Sequence, residues 1–162
     1  MRFATDNTLG KLGRYLRAAG FDTLCQHEGH SETFFDTLDK DRIILTRTTS
    51  LKPLNRRHRL VFVRHNDPLR QLEQVVDELG VRSTEANPFS RCLICNRCLV
   101  NEDKMYLEGR VPVYVWHRHH HFRTCHGCQR VYWAGTHRQR MQTWLEKLFK
   151  QKDAPIHADS ND

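Results

Sequence analysis

Long apolar runs are missing from this sequence. No stretch approaches the roughly 20 consecutive apolar residues of a membrane-spanning helix, which argues against any membrane-embedded role, and the opening MRFATDNTLGKLGR has no apolar core of a secretory leader. The expected setting is therefore cytoplasmic and reducing, where cysteines persist as thiols and serve as metal ligands more readily than as disulfide partners. Carboxylates are missing as well over one long stretch, with none between Glu108 and Glu146. The net charge is +7; residues 1–85 hold 14 Lys/Arg against 12 Asp/Glu, whereas residues 86–162 hold 12 against 7, so the basic excess lies in the C-terminal half. There Arg118, Arg123, Arg130 and Arg138 alternate with Tyr114, Trp116, Phe122, Tyr132 and Trp133. Guanidinium groups for phosphates beside flat rings for bases suit a nucleic-acid partner, with Arg118, Arg123 and Arg130 as phosphate contacts. A solvated basic hairpin whose rings only pack one another is the competing reading. His117, His119, His120, His121 and His126 share the stretch and read as exposed groups that add charge below neutral pH.

Two Cys-x-x-Cys knuckles stand out in what is present: Cys92 and Cys95 in RCLIC, then Cys125 and Cys128 in TCHGC, 29 residues apart. Each two-residue spacer lets two thiolates of one tight turn face the same tetrahedral ion, and an intervening hairpin brings the second knuckle back to close the shell. Zinc held by four sulfurs has no open position, so its expected role is to hold the fold. Disulfides or buried thiols are the alternatives. Cys98 and Cys25 read as small packed residues.

The first half alternates strand and helix patterns. Residues 2–5 and 21–24, the apolar run Ile43, Ile44, Leu45, and residues 60–63 read as strands. Leu9, Leu12, Leu16 and Ala19 recur at helical spacing up to Gly20; Phe34, Phe35 and Leu38 suggest a short helix capped by Ser31; Leu69, Leu72, Val75, Val76 and Leu79 mark another, stopped by Gly80. This alternation implies an α/β fold with a parallel sheet flanked by helices, and ligands at the carboxyl ends of its strands. Asp6 and the TRTTS segment from Thr46 fall there, and Glu32 and Asp36, at i and i+4 of the short helix, could approach the same edge. Clustered carboxylates would bind Mg²⁺ or Mn²⁺; Asp6 as a turn residue capping the first helix is the other reading. Arg14 and Arg17, on the helix after Asp6, are candidate phosphate grips or plain surface arginines. Thr136 and Gln139 fit a capping box opening a last helix whose Met141, Trp144, Leu145 and Leu148 pack inward. At this length one core plus a metal-stapled appendage is affordable: an α/β unit at 1–85, a zinc ribbon with its helix at 86–150, and a disordered tail at 151–162.

The ordered succession LGKLGRYLRAAGFDT, RIILTR, LRQLEQVV, RCLICN and CHGCQRVYWAGTHRQRM resembles the Mut-seven C-terminal RNase domain family, over roughly residues 2 to 145. The resemblance implies a PIN-like nuclease fold joined to a zinc ribbon, and a Mg- or Mn-dependent ribonuclease with RNA as partner. By position it makes Asp6 the first-strand acid, makes Cys92, Cys95, Cys125 and Cys128 the zinc ligands, and matches Trp133, Gly135, Thr136 and His137 to a Trp-x-Gly-Ser/Thr-His segment. His137 is then a candidate RNA contact, or simply a first-turn residue of the last helix. One departure stands out: where the family reads Leu-Thr-Arg-Asp, this chain reads Leu45, Thr46, Arg47, Thr48. A neutral hydroxyl replaces the expected carboxylate, so a divalent ion would need another acid, with Asp67 the nearest donor by topology. The rival expectation is a catalytically impaired RNA-binding or ribosome-associated adaptor.

Overall fold

The computed structural model describes residues 1–26 and 32–153; the side chains of Glu32 and Lys152 also lie outside that description, as do Ser31 and residues 154–162. Strands β1 (Arg2–Thr5), β2 (Asp22–Cys25), β3 (Ile43–Thr46) and β4 (Leu60–Phe62) form one sheet in the order β2-β1-β3-β4, every pair parallel. The parallel sheet flanked by helices expected from the sequence is therefore present. Its order makes the chain step outward in opposite directions from β1, which opens a crevice between the carboxyl ends of β1 and β3. Asp6 sits in that crevice, with its N–H donating to Leu45 O at 3.3 Å.

Helix α1 (Gly10–Ala18) buries Leu12 and Leu16 and ends at Gly20, whose φ of 97° lets Phe21 N–H reach back to Leu16 O at 2.9 Å. Helix α2 (Pro68–Leu79) starts on Asp67, whose carboxylate accepts from the N–H groups of Leu69 and Arg70, both at 3.0 Å, and stops at Gly80 at φ 64°. Phe3 and Leu45 from the sheet, Leu12 and Leu16 from α1, and Leu72 and Val75 from α2 meet in one buried core. Each such apolar side chain contributes about 2 kcal/mol on leaving water.

The C-terminal half builds a three-stranded antiparallel sheet from β5 (Val100–Glu102), β6 (Phe122–Thr124) and β7 (Val131–Trp133). Its connection is more than the hairpin expected. A 3-10 turn at Lys104–Leu107 and a short helix α3 (Val113–Arg118) stand between β5 and β6, and Leu107, Val111, Val115 and Phe122 give this half a small core of its own. Helix α4 (Thr136–Asp153) then returns to the first sheet, placing Leu145, Leu148 and Phe149 in the core with Phe3 and Leu16. It runs through Asp153, past the point where the tail was expected to begin. Gly135 O accepts from Gln139 N–H at 3.0 Å, so Thr136 lies inside the first turn and does not precede it.

Candidate metal centre and nucleic-acid cleft

Both cysteine knuckles use the same backbone turn. Cys92 N–H donates to Arg97 O (2.8 Å) and its carbonyl accepts from Asn96 N–H (3.0 Å), while Cys125 N–H donates to Arg130 O (3.0 Å) and its carbonyl accepts from Gln129 N–H (2.8 Å). Asn96 and Gln129, each four residues after the first cysteine, take the left-handed conformation at φ 66° and 58°. The Sγ atoms of Cys92, Cys95, Cys125 and Cys128 consequently lie within 4.8 Å of one another. Burial, followed by hydrogen bonding among neighbouring thiols, pushes Cys95 and Cys128 up. Burial also acts on Cys92, but hydrogen bonds from Cys95 N–H and the Tyr132 hydroxyl outweigh it and bring that thiol to about 6. Four sulfurs this close ionise together only around a cation, and a tetrahedral all-sulfur set is the ligand chemistry of zinc. The residues present fit zinc, which would hold the ribbon closed and leave no position for substrate. Cys98 stands apart: it is exposed, joined to Arg91 by a backbone bridge, and not the packed residue expected. Cys25 is half-buried, with its sulfur 3.3 Å from Arg17 Nη2.

Arg17 is neither a surface arginine nor a phosphate grip. It is 4% exposed, and its guanidinium donates to Thr23 O (2.9 Å), Leu93 O (2.9 Å) and Ile94 O (2.7 Å), clamping the first knuckle to α1 and β2. With those donors taken by carbonyls, it has no place among RNA contacts.

At the carboxyl end of the sheet, Asp6 is 1% exposed and accepts five hydrogen bonds. Oδ1 takes Thr8 N–H (2.9 Å) and Thr8 Oγ1 (2.5 Å); Oδ2 takes the Thr46 hydroxyl, Arg47 N–H (3.0 Å) and Thr48 Oγ1 (3.2 Å). Burial alone would raise this carboxyl, but the Thr46 and Thr8 hydroxyls and the amides of Arg47 and Thr8 hold it below its usual range. A carboxylate offers about four lone-pair directions, so protein donors saturate Asp6. Asp36 and Asp67 do not join it. Asp36 is exposed and paired with Arg57 at 3.5 Å, and Asp67 is exposed at the start of α2. Residues Glu32–Thr37 form a 3-10 turn and not the α-helix expected, and the Glu32 side chain lies outside the described residues. Among the described residues the four cysteines are the only group of three or more potential ligands that converge. The donors at Asp6 do not fit a resident Mg²⁺ or Mn²⁺.

A cleft of about 850 Å³ opens elsewhere, between α1, the antiparallel sheet and the start of α4. Three of the expected RNA contacts, Arg14, Arg123 and His137, line it together; Arg118 and Arg130 are exposed but lie outside it. Arg138 and the rings of Phe89, Tyr114 and Trp133 also line it, and among the described residues none that lines it is acidic. Arg138 lies over the Phe89 ring at 4.8 Å. Composition hinted at this group through the acid-free stretch and Arg14 was a candidate on α1, but the contribution of Phe89 carried no local signal.

The model of the Mut7-C RNase domain matches residues 1–145, spanning the sheet, the four cysteines and the first turns of α4. Comparison with the curated proteins and with the solved structures returns no match. With most of its length matched in one span, from β1 through both knuckles, the chain belongs to the Mut7-C RNase domain family.

Proposed function

We propose that this protein binds RNA through its zinc-bearing half and that its ribonuclease frame is catalytically impaired. The observation that carries this reading is the contact between Thr48 and Asp6. Where the family resemblance implies a second acid, Thr48 Oγ1 donates to Asp6 Oδ2 at 3.2 Å, and the four other donors complete the shell of that carboxylate. A hydroxyl that donates to the first-strand acid does the reverse of what an added carboxylate would do. The cluster of Arg14, Arg123, Arg138 and His137 around an acid-free cleft supports RNA as the partner. Family membership supports a nuclease- or RNA-related role. The reduced thiols that zinc requires fit a cytoplasmic location, and among the described residues no helix is long and apolar enough to cross a membrane.

A Mg- or Mn-dependent ribonuclease hydrolysing RNA phosphodiester bonds is the second reading. It is favoured by the placement of an ionised Asp6 at the crevice between β1 and β3, where ligands of such sheets bind. The experiment that separates the two measures RNA cleavage with Mg²⁺ or Mn²⁺ in purified zinc-loaded protein, wild type and Asp6→Asn. Binding without cleavage supports the adaptor. Cleavage that Asp6→Asn abolishes supports the enzyme. Absence of any RNA binding in wild type removes both.

A further inference from the structure

Three unfavourable features converge on one wall of the basic cleft. Arg138 occupies the first turn of α4, where the helix dipole disfavours a positive charge. Its Nε is buried and has no hydrogen-bond partner among the described residues, and both burial and the charge of Arg123 depress its guanidinium. Beneath it, Phe89 holds a φ of 60°, a conformation that bulky side chains rarely adopt. Phe89 is fixed there by its N–H donating to Ala18 O (2.7 Å) and its carbonyl accepting from Arg123 Nη1 (3.0 Å). Two cations and a strained backbone are thus maintained around a space that no described acid lines. One anion seated between Arg138 and Arg123 would relieve the repulsion and pair with both guanidinium groups.

The opposite requirement of the cleft is aromatic. Tyr114 is 69% exposed. Trp116 spends its indole N–H on Lys104 O at 3.1 Å, whereas the Trp133 indole N–H makes no hydrogen bond among the described residues. Gly135 carries no side chain against that indole; a Cβ there would stand 3.1 Å from Trp133 Nε1. A phosphate seat beside the exposed ring of Tyr114 and the half-buried ring of Trp133 matches a nucleotide whose base is free to stack. A duplex hides its base faces and presents only backbone.

Building on the RNA reading above, we propose that this cleft is a subsite for single-stranded RNA, seating one phosphate between Arg138, Arg123 and Arg14 and stacking an unpaired base on Tyr114 and Trp133. Arg138 is the residue the ligand neutralises. It binds at the expense of the unliganded fold, so removing its charge weakens RNA binding without weakening the protein.

The test is a fluorescence-anisotropy titration of zinc-loaded protein with a labelled 12-nucleotide oligouridylate, alongside thermal unfolding without RNA. Arg138→Leu is expected to lose at least tenfold in affinity while its melting temperature stays level or rises. Tyr114→Ala, at an exposed position, is expected to lose roughly fivefold or more from base stacking. The double variant Arg118→Ala/Arg130→Ala, outside the cleft, is expected to lose less than either, and a duplex to compete poorly with the single strand. Wild-type affinity in both Arg138→Leu and Tyr114→Ala, in a wild type that does bind RNA, overturns the subsite and leaves the RNA reading standing. If Arg138→Leu fails to fold, the neutralisation argument is refuted and Tyr114→Ala alone decides the subsite. No binding by wild type refutes the RNA reading itself.

Discussion

The carboxamide of Asn96 accepts a hydrogen bond from Thr23 N–H at 3.0 Å, so the turn inside the first cysteine knuckle pairs with the edge strand of the parallel sheet. The Asn96 amide nitrogen also donates to Asp22 Oδ1 at 2.7 Å, and Asp22 in turn receives both Nη groups of the buried Arg42 at 2.9 and 3.0 Å. Arg17 reaches the same knuckle through Leu93 O and Ile94 O. The cysteine cluster and the parallel sheet are therefore joined by hydrogen bonds, so loss of order in one is expected to loosen the other.

One zinc per chain is expected on metal analysis of protein purified without chelator. Cys125→Ser should release it, and the loosening should spread beyond the ribbon, because Asn96 and Arg17 lose a rigid partner. Hydrogen exchange at the Thr23 amide reports this. Unchanged Thr23 protection in the zinc-free variant would show the two halves to be independent.

Asp22 should make stability depend on pH in an acidic window. Burial opposes its ionisation, but hydrogen bonds from Arg42 and Asn96 and the Arg42 charge bring it from 3.8 to about 2. A depressed carboxyl stabilises fully above the unfolded value and loses that contribution as pH falls from about 4 to about 2, a change of about 2 kcal/mol. The stability gap between wild type and Asp22→Asn, measured by urea unfolding at each pH, should shrink across that window.

Thr48→Asp exchanges a donor to Asp6 for a second carboxylate within a few ångströms. Without added divalent ion the two negative charges repel, and the variant should melt below wild type. Mn²⁺ should recover the loss and, if the frame retains its chemistry, raise RNA cleavage; a recovered ~1.4 kcal/mol at the transition state would read as a tenfold rate gain. Asp6→Asn in the same background should cancel the Mn²⁺ effect. A variant indifferent to Mn²⁺ would show that the edge has lost more than one ligand.

Gly20→Ala should cost at least about 2 kcal/mol in urea unfolding, because it combines a left-handed backbone with a collision. Its Cβ would stand 2.1 Å from Asn87 O, where the segment leading to the ribbon crosses the end of α1. Gly80→Ala is the control: φ is also positive, at 64°, but nothing lies within 4 Å of the new Cβ. It should lose only the conformational term of about 1–2 kcal/mol.

What could be read along the chain was whatever repeats locally. The spacing of Cys92, Cys95, Cys125 and Cys128 foretold a convergent set because two short turns and a folded connection suffice to assemble it. Strand and helix periodicity foretold the parallel sheet, since each βα step has one favoured hand and the apolar faces of α1 and α2 can be buried only against it. The position of Asp6 at the end of β1 followed from the same pattern.

Tertiary structure alone decided how these parts are used. Arg14 and Arg17 are near neighbours on α1, yet the sequence says nothing of the ribbon that captures Arg17 and leaves Arg14 facing the cleft. Asp6 in sequence is an acid open to a cation; folded, it is enclosed by donors from a segment about 40 residues away. Its chemistry depends on which groups fill its lone pairs, and that is set by the register of β1 against β3. Arg138 and Phe89 become a cationic wall only because α4 leaves the ribbon and packs on the first core, a choice made by Leu145, Leu148 and Phe149. Long-range burial, which no local spacing encodes, fixed the chemistry of the site.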